Sequence, residues 1–241
     1  LSSSVTQTQV VFEPVSSGAF DFNFYFEGVA KPDFKPKLQT FFKRIESYIP
    51  WIQGYQLTIK SHNTFPHSSG IASSASAMAA LAMCLMDLEQ KLVSDMEPEF
   101  FHQKASFLAR LGSGSAARSV QGPVTLWGVN KIQNRSSNLY AIPFGPDLHP
   151  VFSTYQDAIL LVDKGTKAVS SSQGHQLMHQ HPFASQRFLQ AAANLEALVP
   201  VMKAGDLEAF IKIVELEALS LHAMMMTSNP SSLKGPMKKM P

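Results

Sequence analysis

At 241 residues the chain is long enough for one large domain or two modest ones, and for a real core. Its composition, 45% hydrophobic and 16% charged, excludes a disordered, collagen-like or coiled-coil chain. The net charge of +2, from 20 basic and 18 acidic residues, is too small to point to nucleic acid or an anionic membrane. The longest apolar stretch, Ala77 to Met86, is about half of what a membrane span needs. No signal segment opens the chain, so a cytoplasmic location is expected. Cys84 is the only cysteine, which excludes a disulfide framework and any multi-cysteine metal site.

The first thirty residues read as β structure. Thr8 to Glu13 is β-prone, Ser16-Ser17-Gly18 supplies a turn, and Phe20, Phe22, Phe24 and Phe26 alternate along a second strand. Lys31-Pro32-Asp33 breaks the pattern before an amphipathic helix over Phe34 to Tyr48. A strand follows from Tyr55 to His62. After a loop with Pro66 and Gly70 comes a helix from about Ser74 to Leu92, then another from Pro98 to Arg110. A third helical start lies near Ser115, before a strand over Val124 to Val129. Asn134 to Pro150, rich in Asn, Ser, Pro and Gly, places a domain boundary, giving domains 1–148 and 149–241. In the second, Asp157 to Asp163 reads as a buried strand, and Pro182 to Leu198 and Asp206 to Met225 as helices. The run Met224 to Met226 reads as core filling. Ser231 to Pro241 is polar, basic and non-periodic, and both termini read as cut rather than finished.

Three small-residue segments carry possible chemistry. Pro66 to Ala77 lies between a strand and a helix, where small residues let a backbone approach a ligand and the helix start offers N–H groups to an anion. Its serines can also donate to phosphate or ligate Mg²⁺; alternatively they only cap and pack the helix. Gly112-Ser113-Gly114-Ser115-Ala116-Ala117-Arg118-Ser119 repeats this logic and adds a cation able to grip a carboxylate bidentately, or is a plain loop. The third, Ser170-Ser171-Ser172-Gln173-Gly174-His175, taken alone is as readily a loop. Three such segments point to a polyanionic ligand. Neither the Gly-x4-Gly-Lys-Ser/Thr phosphate loop nor Gly-x-Gly-x-x-Gly is present. His175, His179 and His181 are spaced for a metal, but no nearby carboxylate completes a site, so no metal centre is assigned to them. A Gly-x-Ser-x-Gly hydrolase elbow is missing.

Asn63-Thr64-Phe65-Pro66-His67-Ser68-Ser69-Gly70-Ile71-Ala72-Ser73-Ser74-Ala75 resembles the Asn-Phe-Pro-Thr-Ala-Ala-Gly-Leu-Ala-Ser-Ser-Ala signature of the diphosphomevalonate decarboxylase family. That family sits in the superfamily of galactokinase, homoserine, mevalonate and phosphomevalonate (GHMP) kinases. The segments Ala109 to Ser119, Val169 to His175 and Ser220 to Ala223 resemble its later elements, in family order. The resemblance implies a two-domain α+β fold of the GHMP-kinase type. Its N-terminal ATP-binding domain would be ribosomal S5 domain 2-like, its C-terminal domain ferredoxin-like, and its active-site cleft would lie between the two. It implies ATP-dependent conversion of 5-diphosphomevalonate to isopentenyl diphosphate, ADP, phosphate and CO₂, with Mg²⁺, in a homodimer.

By the same resemblance, Ser68, Ser69, Gly70, Ala72, Ser73, Ser74 and Ser76 form the ATP phosphate loop, with Ser73 and Ser74 contacting phosphate or Mg²⁺. Ser113 and Ser115 hold substrate and phosphate, Arg118 fixes the substrate carboxylate, and Ser171 lies on the diphosphate side. His175 stands where the family more often carries Met, which keeps 5-phosphomevalonate open as substrate. The family's Lys-Tyr-Trp-Gly and Phe-Asp-Ala-Gly segments have no counterpart, and Asp157 and Asp163 lie in the wrong context to replace the missing Asp. A protein that truly ended at Pro241 is therefore not expected to decarboxylate. The competing readings are a superfamily kinase acting on mevalonate or a relative, and an inert phosphate-binding homologue.

Overall fold

The structure, a computed structural model, describes residues 4–16, 20–66, 71–158, 160 and 181–228. The chain divides into two compact units, one comprising 1–129, 135–146 and 157–164 and the other the remaining residues.

The first unit is built on a four-stranded sheet of order β1-β4-β2-β3. β1 (Thr6–Pro14) pairs antiparallel with β4 (Tyr55–Asn63), setting Val10 opposite Ile59 and Phe12 opposite Leu57. β2 (Phe22–Phe26) runs parallel to β4 and antiparallel to the two-residue β3 (Val29–Ala30). Parallel neighbours need a crossover, and α1 (Lys35–Ile45) supplies it. Its buried residues, Leu38, Phe41, Phe42 and Ile45, follow the i, i+3, i+4, i+7 pattern of one helical face. α1 is shorter than the sequence predicts, because Phe34 belongs to a separate 3₁₀ turn, Pro32–Phe34, and Glu46 to Tyr48 turn away ahead of Pro50.

α2 (Ser73–Leu92) packs on β1, and α3 (Pro98–Gly112) packs on α2 and α1. The apolar stretch of α2 is explained by burial on more than one side, with Met78, Leu81, Ala82, Leu85 and Met86 all in the core. No helix among the described residues is long and apolar enough to cross a membrane. Phe22, Phe41, Ile45, Leu57, Ile59, Leu85 and Leu108 are all essentially inaccessible. Each such side chain contributes about 1.5–3 kcal/mol by leaving water. Glu89 is carried into this core by the α2 periodicity, and Lys104 of α3 neutralises it at 2.6 Å.

Cys84, half-buried on α2, donates its thiol to the Thr8 carbonyl at 3.3 Å. Burial, reinforced by Asp87, pushes the thiol up to about 11. At pH 8 only about 0.1% is thiolate, against roughly a quarter for a free cysteine. Native Cys84 is therefore expected to react with a thiol-specific disulfide reagent at least tenfold more slowly than the denatured chain; equal rates would contradict this packing. The sign of the linkage is that stability from the raised thiol is present below the unfolded cysteine range. It is lost as pH rises towards 11.

Two further expectations are refined in this unit. The helical start near Ser115 is a 3₁₀ turn, Gly114–Ser119. The strand over Val124 to Val129 contracts to β5 (Thr125–Leu126), because Gly128 takes φ 115° and its amide turns to the Ser137 carbonyl. β6 (Ile142–Pro143), antiparallel to β5, lies within Asn134 to Pro150, the segment in which the sequence places a domain boundary.

In the second unit, α4 (Ala184–Ala204) and α5 (Leu207–Thr227) pack against each other. α4 runs past the predicted stop at Leu198, because Pro200 sits exposed within the helix. The turn uses Gly205 at φ 76°, where an added Cβ would collide with the His149 ring, and Asp206, which caps α5 by accepting the Ala209 amide at 3.0 Å. Arg187 is buried and pairs with Glu217, which Asn194 also contacts at 2.7 Å. Burial alone would raise the Glu217 carboxyl, but these two donors outweigh it and hold it below its ordinary value. Of the methionine run, Met224 is core while Met226 is exposed. Ser17 and Gly18 of the expected turn at Ser16 to Gly18, most of the expected strand at Asp157 to Asp163, and the tail from Ser231 lie outside the described residues.

Candidate active site

β4 delivers the chain to the loop before α2, and the helix opens from an unusual backbone. Ala72 adopts φ 55°, ψ 33°, a left-handed conformation disfavoured for residues other than glycine. Such outliers persist only where the surroundings enforce them, and they cluster at ligand sites. The Ala72 carbonyl accepts the amides of Ala75 and Ser76, and the Ala72 side chain offers the helix no cap. The amides of Ser73 and Ser74 thus have no partner within the helix. Ser76 is tied down, with its hydroxyl 2.5 Å from that of Thr6, which donates to Asn63 at 2.7 Å.

Lys37 of α1 donates to the Ser74 hydroxyl at 2.7 Å. Desolvation by the surrounding protein lowers its ammonium below the ordinary lysine value. A cation, the amides of Ser73 and Ser74, and hydroxyls therefore meet at one helix end.

The second segment is brought to the same place by packing. Lys37 and Phe41 are one turn apart on α1, as Ser74 and Met78 are on α2. Gly112, the last residue of α3, sits against both Phe41 and Met78, so closely that no Cβ fits. Arg44 secures this end by donating to the Leu111 carbonyl at 3.0 Å. Ser113 therefore leaves α3 beside the second turn of α2, next to the turn carrying Ser73 and Ser74. The 3₁₀ turn that follows buries Ala116 and Ala117 and leaves Arg118 exposed. Among the described residues, the hydroxyls of Ser73, Ser113 and Ser115 and the guanidinium of Arg118 make no hydrogen bond or ion pair. They are available to a ligand.

Ser68, Ser69, Gly70, Ser171 and His175 lie outside the described residues, as do His67 and His179. His181 is used internally, 2.9 Å from the Thr227 hydroxyl and accepting the Phe183 amide. Among the described residues no three His, Cys, Asp or Glu side chains are grouped to hold a metal. Sequence reasoning missed Lys37, which looks there like any charge on the polar side of an amphipathic helix.

A family model described as the diphosphomevalonate decarboxylase-like N-terminal domain matches residues 1–138. The chain belongs to this family. A diphosphomevalonate decarboxylase from Ganoderma lucidum is 29% identical over 187 residues, covering 77% of this chain and 44% of that protein. The chain thus spans less than half the length of the curated relatives it matches. The mevalonate diphosphate decarboxylase structure from Legionella pneumophila has a TM-score of 0.68 at 25% identity, covering 92% of this chain and 67% of that one. MDDEF, solved in complex with MVAPP, AMPPCP and magnesium, shares the fold with a TM-score of 0.68 at 23% identity, over 95% of this chain and 68% of that one. The α+β fold is the one the signatures imply. Within the diphosphomevalonate decarboxylase-like match fall Lys37, the α2 entry, and the turn bearing Ser113, Ser115 and Arg118.

Proposed function

We propose that the protein acts in the ATP-dependent decarboxylation of 5-diphosphomevalonate to isopentenyl diphosphate. The observation that carries this reading is the convergence of two donor sets, the α2 entry with Lys37 and the turn from Ser113 to Arg118.

The α2 entry fits a phosphate chain, since it combines the amides of Ser73 and Ser74 with Lys37 and the hydroxyls of Ser73 and Ser74. A divalent ion there would be held by phosphate oxygens and these hydroxyls, there being no acidic cluster among the described residues. ATP, when bound, supplies the phosphoryl group that turns a tertiary hydroxyl into a leaving group. Ser113 and Ser115 would orient the acceptor. Arg118 would hold the substrate carboxylate by a two-pronged pair, aligning the bond to be broken with the departing oxygen. Phosphoryl transfer relies on such positioning and charge neutralisation rather than on an unusual nucleophile. The MVAPP, AMPPCP and magnesium bound by MDDEF support the same ligand classes.

The test is turnover with ATP, Mg²⁺ and either 5-diphosphomevalonate or 5-phosphomevalonate, following ADP and CO₂. Equal amounts of both products are expected from the diphosphate. ADP without CO₂ would indicate a kinase, and neither product would leave a binding homologue. Lys37→Met should raise the KM for ATP about tenfold or more, the scale of one charge-assisted hydrogen bond, without lowering Tm. An unchanged KM would remove Lys37 from the phosphate site.

A further inference from the structure

Ser106 lies in the middle of α3 and is 1% exposed. Its hydroxyl donates to the Ala117 carbonyl at 2.8 Å and accepts the Ala141 amide at 2.9 Å. One buried oxygen therefore joins α3, the 3₁₀ turn and the segment leading into β6. The Ala117 carbonyl belongs to the peptide whose nitrogen is that of Arg118. On the other side, the Arg118 carbonyl accepts from the Thr125 hydroxyl at 3.3 Å. Both peptides flanking the Arg118 Cα are thus tethered, and with them the direction of its Cα–Cβ bond. The guanidinium itself has no tether among the described residues, so its aim depends on its backbone.

We infer that Ser106 is a positioning residue for substrate recognition, acting through the Ala117–Arg118 peptide. The inference rests on the reading of Arg118 given above. A serine suits this position because its single hydroxyl oxygen donates to one peptide and accepts from another within the space of a small side chain. Alanine would leave a carbonyl and an amide buried without a partner.

The experiment measures equilibrium Kd values for 5-diphosphomevalonate and for ATP on the full chain, alongside Tm. The variants are Ser106→Ala, Ser106→Cys and, as reference, Arg118→Gln. Ser106→Ala should weaken substrate binding roughly tenfold or more, since small misplacements of a positioning group carry penalties of this size. Its ATP Kd should stay within about twofold of the parent. Ser106→Cys, a weaker donor of similar shape, should fall between. Weaker substrate binding in Ser106→Cys alone supports the inference if Ser106→Ala does not fold. A lowered Tm with the parental substrate Kd in both Ser106 variants would reduce Ser106 to a structural role and overturn it, as would equal losses for ATP and substrate. A parental substrate Kd in Arg118→Gln would overturn the reading of Arg118 and this inference with it. If Arg118→Gln loses binding while the Ser106 variants keep it, only the positioning role fails.

Discussion

Arg118→Gln is expected to lower kcat/KM for the phosphorylated acid by about a hundredfold or more while leaving Tm unchanged. On the proposed reading, the magnitude follows from losing a charged, two-pronged partner of the substrate carboxylate, whose orientation would govern whether CO₂ can depart. The unchanged Tm follows from the structure. Arg118 is exposed, and among the described residues its guanidinium makes no ion pair or hydrogen bond, so little native stability is at stake. Few substitutions separate function from folding so cleanly. Arg118→Lys should recover only part of the loss, because an ammonium is a point charge and cannot match both carboxylate oxygens in one plane. Steady-state kinetics with thermal melts on all three proteins checks this. Parental kcat/KM in Arg118→Gln would remove the residue from the site.

The elements that are legible in the sequence are those whose burial follows a simple period. β1 alternates half-buried and exposed residues from Thr6 to Glu13, and α1 buries Leu38, Phe41, Phe42 and Ile45 on one stripe. The small-residue signatures were legible as well, through their resemblance to family signatures in family order, since each taken alone reads as readily as a helix cap or a loop. What was not legible depends on tertiary contact. Lys35, Lys37 and Lys43 are alike along α1, yet Lys35 pairs with Asp21 while Lys37 reaches Ser74, 37 positions away. Ser106 reads as a small residue on a helix and acquires its role only where Ala117 and Ala141 close on it. β6 is two residues long, too short for any periodicity, and the helix predicted to end at Leu198 continues through Pro200 to Ala204.

These two groups meet at Gly112, which yields the second large effect. Gly112→Val should both destabilise the protein and disable the site. A Cβ built on Gly112 lies 2.6 Å from the Met78 sulfur, 2.9 Å from its Cγ and 2.9 Å from Cδ2 of Phe41. The Met78 thioether can swing, but it is 5% exposed and has little room, and the Phe41 ring, at 1%, has none. Overpacking of this kind costs about 1–3 kcal/mol, which lowers Tm by roughly 2–12 °C for a chain of this size. The end of α3 must shift to relieve it, carrying Ser113, Ser115 and Arg118 away from Ser73 and Ser74. A shift of about 1 Å is enough for a loss near a hundredfold in kcat/KM. Gly112→Ala should show both effects in smaller measure.

Adding Met78→Ala to Gly112→Ala tests the cause, since it removes the two nearest obstructing atoms while the Phe41 contact stays. The double variant should be less destabilised than the sum of the single changes, with a coupling of about 1 kcal/mol. Strict additivity would mean that Gly112 does not meet Met78. Parental kinetics in a destabilised Gly112→Val would mean that packing at the end of α3 does not set the position of the Arg118 turn.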